Sequence, residues 1–411
     1  MKKTALYLGA LALLAGCTAS RQAEPEQAFM RIDGHDLIAP DGSKFFIRGT
    51  NLGNWLNPEG YMFGFSKTNS PRFINEMLCQ MVGEEATADF WQDFKDNYIT
   101  RADIDFIAST GANTIRLPFH YKLFTDEDYM GRSSDHNGYA HIDSVVTWCR
   151  DNGLYLILDM HDAPGGQTGD NIDDSYAYPW LMESPRAQQL FCDIWEQIAE
   201  RYENEPVILG YELINEPIAH YFDAETLNAR LEPLHKRAVE AIRRHDNNHI
   251  ILLGGPQWNS NFSNFTDWGY DDKIMYTCHR YGGEPTAEAI HHFIAFRDST
   301  GLPMYMGEIG HNTDEWQAAF CDVLEANNIG YTFWPYKKLD GSCMNGISRP
   351  ADWDSIVAFA EAPRDSYKAI REARPDTALA RKALREFVEN SRFENCTPQK
   401  SYIKSIKLNI D

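Results

Sequence analysis

Basic runs are missing from this 411-residue chain. Beyond Lys2 and Lys3 no lysine or arginine cluster stands out, and 60 acidic residues outweigh 38 basic ones for a formal net charge of −22. Such a distribution offers a polyanion nothing to bind, which excludes nucleic acid as a partner and favours a neutral substrate. The eight cysteines include no CxxC pair, and their irregular spacing gives no zinc framework. The phosphate-cradling G-x-G-x-x-G is absent after the first strand-like run. Internal repeats are lacking too, as is any low-complexity linker that would set a second domain apart. What the chain has in quantity is aromatic rings, ten Trp and twenty Tyr, which serve either as core or as surfaces for sugars and other ring-shaped ligands.

The N-terminal stretch MKKTALYLGALALLAGCTAS has a charged start, an apolar centre too short to cross a bilayer as a stable helix, and small residues before Cys17. This is the layout of a secretory signal, and Leu14-Ala15-Gly16-Cys17 resembles a bacterial lipobox. The expectation is a signal peptide over residues 1–16, a lipidated Cys17, and a polar tether through residue 28. Thr18 stands where an Asp would retain the protein at the inner membrane, so an outer-membrane anchor is expected, with the membrane a partner only through the lipid. Seven cysteines then remain, an odd number that leaves at least one unpaired.

Past the tether, residues 30–49 read as a β-hairpin around Pro40-Asp41-Gly42. Eight strand-like runs follow, over residues 45–52, 113–119, 154–160, 207–214, 249–255, 273–279, 303–308 and 330–335. Amphipathic stretches lie between them, among them RAQQLFCDIWEQIAERYENE and LNARLEPLHKRAVEAIRRHDN. Eight alternating units predict a closed (β/α)₈ TIM barrel over residues 29–362, with its site at the C-terminal ends of the strands. Residues 363–411, again helical in pattern, are expected to pack on the barrel as an extension.

Two carboxylates fall at strand ends. In YELINEP the strand pattern stops at Asn215-Glu216-Pro217, and in MGEIG Glu308 ends the seventh run. Two glutamates on one rim fit acid/base chemistry on a shared substrate, as retaining glycoside hydrolysis requires. Capping a helix or pairing with an arginine would place a glutamate there equally well.

The other strand ends decide between these readings. IRLPF, DMHDAPG, LINEP, HRY, GEIG and FWPY occur in order, and over residues 30–362 the chain resembles glycoside hydrolase family 5, the cellulase-like barrels of clan A. The resemblance implies a retaining β-glycosidase with Glu216 as general acid/base and Glu308 as nucleophile. It further implies Asn215 on the sugar 2-hydroxyl, Arg116 and Tyr281 as partners of Glu308, His161 and His279 as histidines shaping the site, and Trp334 as the platform under the sugar. Neither a metal nor an organic cofactor is required. Asp170, Asp173 and Asp174 lack the Asp-x-Asp-x-Asp-Gly calcium pattern, and their loop is expected to face sugar or solvent.

For the substrate, RGTNLGNWLNPEGYMF and HDAPGGQTGDN resemble the exo-β-1,3-glucanase branch of the family. There a glutamate at the position of Glu59 closes the pocket around a terminal glucose. Asn54 and Asn57-Pro58 depart from that branch, and the aromatic loop holding Tyr176, Tyr178 and Trp180 could line further subsites. An endo-acting cleft for β-1,4 or mixed-linkage glucan is therefore the second reading. A non-catalytic glycan-binding lipoprotein is the third, set against by the presence of both glutamates. The expected partner is a β-glucan or gluco-oligosaccharide.

Overall fold

The structure, a computed structural model, describes residues 28–131 and 138–410. The expected signal, Cys17 and the tether up to residue 27 lie outside the described residues. Eight parallel strands close on themselves: β1 (Arg48–Asn51), β2 (Thr114–His120), β3 (Tyr155–Asp162), β4 (Ile208–Glu212), β5 (Ile250–Gly254), β6 (Ile274–His279), β7 (Met304–Gly310) and β8 (Gly330–Trp334). Spatial order follows chain order, and β8 returns to β1 through Tyr331↔Arg48, Thr332↔Gly49 and Phe333↔Thr50. Closure leaves the sheet no exposed edge. The strands are buried almost throughout, which is why their sequences read as continuous apolar runs rather than alternating ones.

Each expected strand is present within two residues at its ends, with one difference. The run 45–52 is divided between two sheets. Lys44–Phe45 pairs antiparallel with Asp36–Ile38, itself paired with Arg31–Asp33, and only Arg48–Asn51 enters the barrel. The Ala39–Ser43 turn sets that antiparallel register, with Gly42 at φ 86° and its amide on the Ala39 carbonyl at 2.9 Å. The chain then has to redirect before it can run parallel to β2. The small sheet has a clear use, because Met30, Leu37 and Ile47 bury against Ile157, Leu209, Leu252 and Met275 and close the N-terminal end of the barrel.

Helices cover the outside, started by the signals expected of them. Ser184 accepts from the Ala187 amide ahead of Pro185–Tyr202, with Pro185 at the first position, and Asp223 accepts from Thr226 ahead of Ala224–Ile242. At the C-terminus, helix Thr377–Ser391 lays Phe387 on Trp353 and Phe63, ring centroids 4.7 and 5.2 Å away. Buried Lys337 ties the extension to the barrel, donating to the Ser391 carbonyl at 2.9 Å while pairing with Asp103 at 2.5 Å. The cysteines among the described residues are all free thiols.

Candidate active site

At the C-terminal ends of the strands the barrel gathers a charged network in a place that eight apolar strands would otherwise leave dry. Its hub is Arg116 on β2, fully buried, with every arm of the guanidinium engaged. Nε and Nη2 donate to Glu212 at 3.0 and 2.7 Å, Nη2 also to Asn215 Oδ1 at 2.8 Å, and Nη1 to Asn51 Oδ1 at 3.0 Å and Glu308 Oε1 at 2.7 Å. Asp159 lies 3.0 Å from Nη2. A planar fork can serve this many acceptors at once, which a lysine could not.

Glu308 sits on β7 where the register shifts between Met306 and Glu308, a local irregularity that turns its side chain into the barrel mouth. Its second oxygen accepts from Tyr281 Oη at 2.6 Å. Burial pushes this carboxyl up, but the charges of His279, Arg116 and His161 and the Tyr281 hydrogen bond outweigh it and hold the group at about 2.

Glu216 has the opposite environment. Burial raises its pKa and the negative charge of Glu308 raises it further, while the contact with His279 offsets only part of this. Its backbone is left-handed at φ 45°, as is that of Ile218 at φ 57°. Neighbouring loop atoms hold both residues there: Thr168 Oγ1 donates to the Glu216 carbonyl at 2.6 Å, and the Ile218 amide donates to the Gln167 carbonyl at 2.9 Å. Gln167, the last residue of the H-x-APG-x-Q segment, bridges the carbonyls of His161 and Asn215 at 2.8 and 2.9 Å and so joins the ends of β3 and β4.

Two histidines link the pieces. His279 Nδ1 lies 2.8 Å from Glu216 Oε1 and 3.6 Å from Glu308 Oε2. His161 Nδ1 pairs with Asp159 at 2.7 Å, and its Nε2 lies 3.3 Å from Asn215 Nδ2 and 3.7 Å from Glu59 Oε1. Burial works against charge on His161, but Asp159 and Glu59 reverse that and raise it to about 10. Glu59, 3% exposed, is itself raised by burial and by the charges of Glu308 and Glu216. Trp334 at the end of β8 lies parallel to the His161 ring at 5.0 Å, donates Nε1–H to Tyr61 Oη at 2.5 Å, and is only 2% exposed. Gly53 leaves room for it, since a Cβ there would stand 2.8 Å from the indole. All nine residues singled out between Glu59 and Trp334 thus converge on one mouth.

Two sets of side chains here have the composition of a cation site, Glu216 with His279 and Glu308, and His120 with Asp162 and Asp174. Positive charge is already supplied to each by a side chain, by Arg116 at 2.7 Å from Glu308 and by Lys122 at 3.3 Å from Asp174.

One expectation needs correction. The loop carrying Asp170, Asp173 and Asp174 does not simply face sugar or solvent. Asp173 turns inward and accepts from the Thr168 and Gly169 amides at 2.6 and 3.1 Å, and Asp174 meets His120 at 3.1 Å and Lys122 at 3.3 Å. Partners within reach make the inward arrangement stable, which sequence spacing does not reveal. Glu212, Asp159 and Asn51, all buried partners of the hub, were not singled out. The signal for the two acids was there, because a carboxylate inside an apolar strand such as LILDM or LGYEL must find a cation.

Comparisons with known proteins give the family of the chain. The model of the family described as cellulase (glycosyl hydrolase family 5) matches residues 75–340. The chain belongs to glycosyl hydrolase family 5. Relatives within reach of a sequence comparison are glycosidases of differing habit. A beta-xylosidase of Phanerodontia chrysosporium is 30% identical over 368 residues, 80% of this chain and 75% of that protein. Endoglucanase C of Acetivibrio thermocellus is 28% identical over 335 residues, 66% of this chain and 93% of that protein. A glucan 1,3-beta-glucosidase of Kluyveromyces lactis is 25% identical over 297 residues, 67% of this chain and 62% of that protein. This family 5 chain is a glycoside hydrolase, and the relatives named here are a xylosidase, an endoglucanase and a glucan 1,3-beta-glucosidase.

Proposed function

We propose that Glu308 is the nucleophile and Glu216 the acid/base of a retaining hydrolysis of β-glucosidic bonds. The observation that carries this reading is a pair of carboxylate oxygens, one from each glutamate, within 4.8 Å of one another in environments that drive their protonation apart. Retaining enzymes need about 5–5.5 Å between the two carboxyl groups, whereas inverting enzymes leave room for a water. Glu308, held ionised, attacks the anomeric carbon while Glu216 gives its proton to the departing oxygen. Once Glu308 is esterified its charge is gone, and with it one cause of the raised Glu216 pKa. Glu216 then ionises more readily and takes a proton from the water that releases the sugar. Asn215, its carbonyl oxygen fixed by Arg116, is positioned to hold the sugar 2-hydroxyl.

Exo action on β-1,3-linked glucan is the preferred form of this reading. It rests on Glu59, buried beside His161 with its Oε1 3.7 Å from Nε2. The second reading, an endo enzyme, is favoured by Tyr176 and Trp180, exposed to 75% and 44% where a longer chain could stack. Export and anchoring through a lipidated Cys17 at the outer membrane complete the proposal, on the sequence alone. Early products from laminarin, barley mixed-linkage glucan and carboxymethylcellulose, with residues 21–411 as the soluble enzyme, test it. Glucose alone from laminarin supports the closed pocket, a ladder of oligosaccharides supports the cleft, and inactivity on all three overturns the glucan assignment.

A further inference from the structure

One side of His279 faces the two glutamates. What faces the other side is a residue that the motifs do not include. Between β5 and the next helix-like turn, Gln257, Trp258 and Asn259 are all left-handed, with φ of 53°, 58° and 56°. A run of three non-glycine residues in that region is rare, and such runs persist only where surrounding contacts fix them. Here the Gln257 amide donates to the Ile218 carbonyl at 2.8 Å, its side chain exchanges two hydrogen bonds with Asn228, and the Asn259 amide closes on the Gly255 carbonyl at 3.0 Å. The product of this turn is a fully buried Asn259 whose Nδ2 stands 3.2 Å from His279 Nε2. Two glycines clear the space. A Cβ on Gly254 would lie 2.1 Å from Asn259 Oδ1, and one on Gly307 would lie 3.0 Å from His279 Nε2.

We infer that Asn259 is a positioning residue that fixes the proton of His279 on Nδ1 and thereby leaves the acid proton of Glu216 free for the substrate. This rests on Glu216 being the acid, as proposed above. An amide N–H at Nε2 makes that atom an acceptor, so the neutral ring carries its proton on Nδ1. Nδ1–H then donates to Glu216 Oε1, and the protonated carboxyl must hold its hydrogen on Oε2. With the other tautomer, Nδ1 would accept the Glu216 proton and hold it away from the glycosidic oxygen. Burial opposes charge on the ring, but Glu308 at 3.6 Å and Glu216 outweigh it and raise the His279 pKa, with Glu212 3.9 Å from Nε2, so what Asn259 fixes is the site of the proton on the neutral ring. The Arg116 guanidinium opposes that rise without reversing it.

Asn259→Asp tests the inference with little change in volume. A carboxylate at Nε2 favours the imidazolium, whose charge lowers the pKa of Glu216. The alkaline limb of kcat/KM should then move to lower pH by about one unit. Hydrolysis of an alkyl β-glucoside at neutral pH should fall by roughly tenfold or more, while a dinitrophenyl β-glucoside, which needs no acid, is cleaved at nearly the parent rate. Gly254→Ala, which displaces Asn259 without altering it, should give the same split between leaving groups. A folded Asn259→Asp enzyme whose pH profile and leaving-group dependence overlay those of the parent overturns the inference. Glu216→Ala is measured alongside. If it retains the alkaline limb, the acid assignment itself is wrong, and if it loses the limb while Asn259→Asp changes nothing, only the role of Asn259 is.

Discussion

Arg116 Nη1 donates to Glu308 Oε1 at 2.7 Å, and neither side chain is more than 5% exposed. In a medium this dry, an ionised carboxylate and a guanidinium persist only as partners. The same guanidinium orients Asn215 and neutralises Glu212 and Asp159, so the hub that holds the barrel mouth together also sets the charge on Glu308.

Arg116→Met should therefore damage both stability and turnover. Removing one partner leaves buried carboxylates uncompensated, which costs about 3–5 kcal/mol. Arg116→Lys keeps a charge but loses the fork, and kcat/KM should fall by roughly 10² or more. Urea unfolding and steady-state kinetics on an aryl β-glucoside measure the two effects separately.

The pH dependence of kcat/KM should be bell-shaped with a wide acid side. Glu308 must be ionised to attack, so activity is lost as pH falls through its pKa of about 2, far below where most glutamates protonate. Glu216 must be protonated in the same step, so activity is lost as pH rises through its pKa, which lies above the ordinary 4.5. Glu216→Gln should abolish the alkaline limb in a pH–rate series.

Glu216→Ala should discriminate between leaving groups. With phenyl or alkyl leaving groups the loss should be about 10²–10⁴ in kcat/KM, and with dinitrophenolate it should be small. Added azide should speed turnover of the good leaving group and form a β-glucosyl azide, detectable by chromatography.

A stability prediction concerns His235 in helix Ala224–Ile242, fully buried against Phe265, with no hydrogen-bond partner for either ring nitrogen among the described residues. Burial depresses its pKa from 6.5 to about 3. Below pH 6.5 the unfolded chain takes up a proton that the folded one refuses, so stability falls as pH drops toward 3, at about 1.4 kcal/mol per pH unit. His235→Leu should remove that slope. Relative to its effect at pH 8, it should gain roughly 2 kcal/mol at pH 5, read from thermal or urea melts at the two values.

Much of this architecture was legible in the sequence because strand ends in a barrel are fixed by simple signals. Pro217 after Glu216 and the glycines around Glu308 mark where strands stop, and the apolar runs before them are long enough to be unambiguous. What sequence reading missed falls into two kinds. The division of residues 45–52 between two sheets depends on where the chain must redirect, which no local pattern encodes. The inward turn of Asp173 and the contact between Asn259 and His279 are tertiary, since each side chain finds its partner only once separate loops meet. Glu212 and Asp159 are different, because a charge inside an apolar strand announces a buried partner even when that partner is unknown.

The most direct test of the central claim is to trap the glycosyl-enzyme. Incubation with 2,4-dinitrophenyl 2-deoxy-2-fluoro-β-glucoside slows both steps but leaves a good leaving group, so the covalent species accumulates. Mass spectrometry of the digested protein should place the fluoroglucosyl group on Glu308, with a burst of one dinitrophenolate per enzyme. A label on Glu216 or on any other residue, or release of dinitrophenolate with no covalent adduct, would contradict the account.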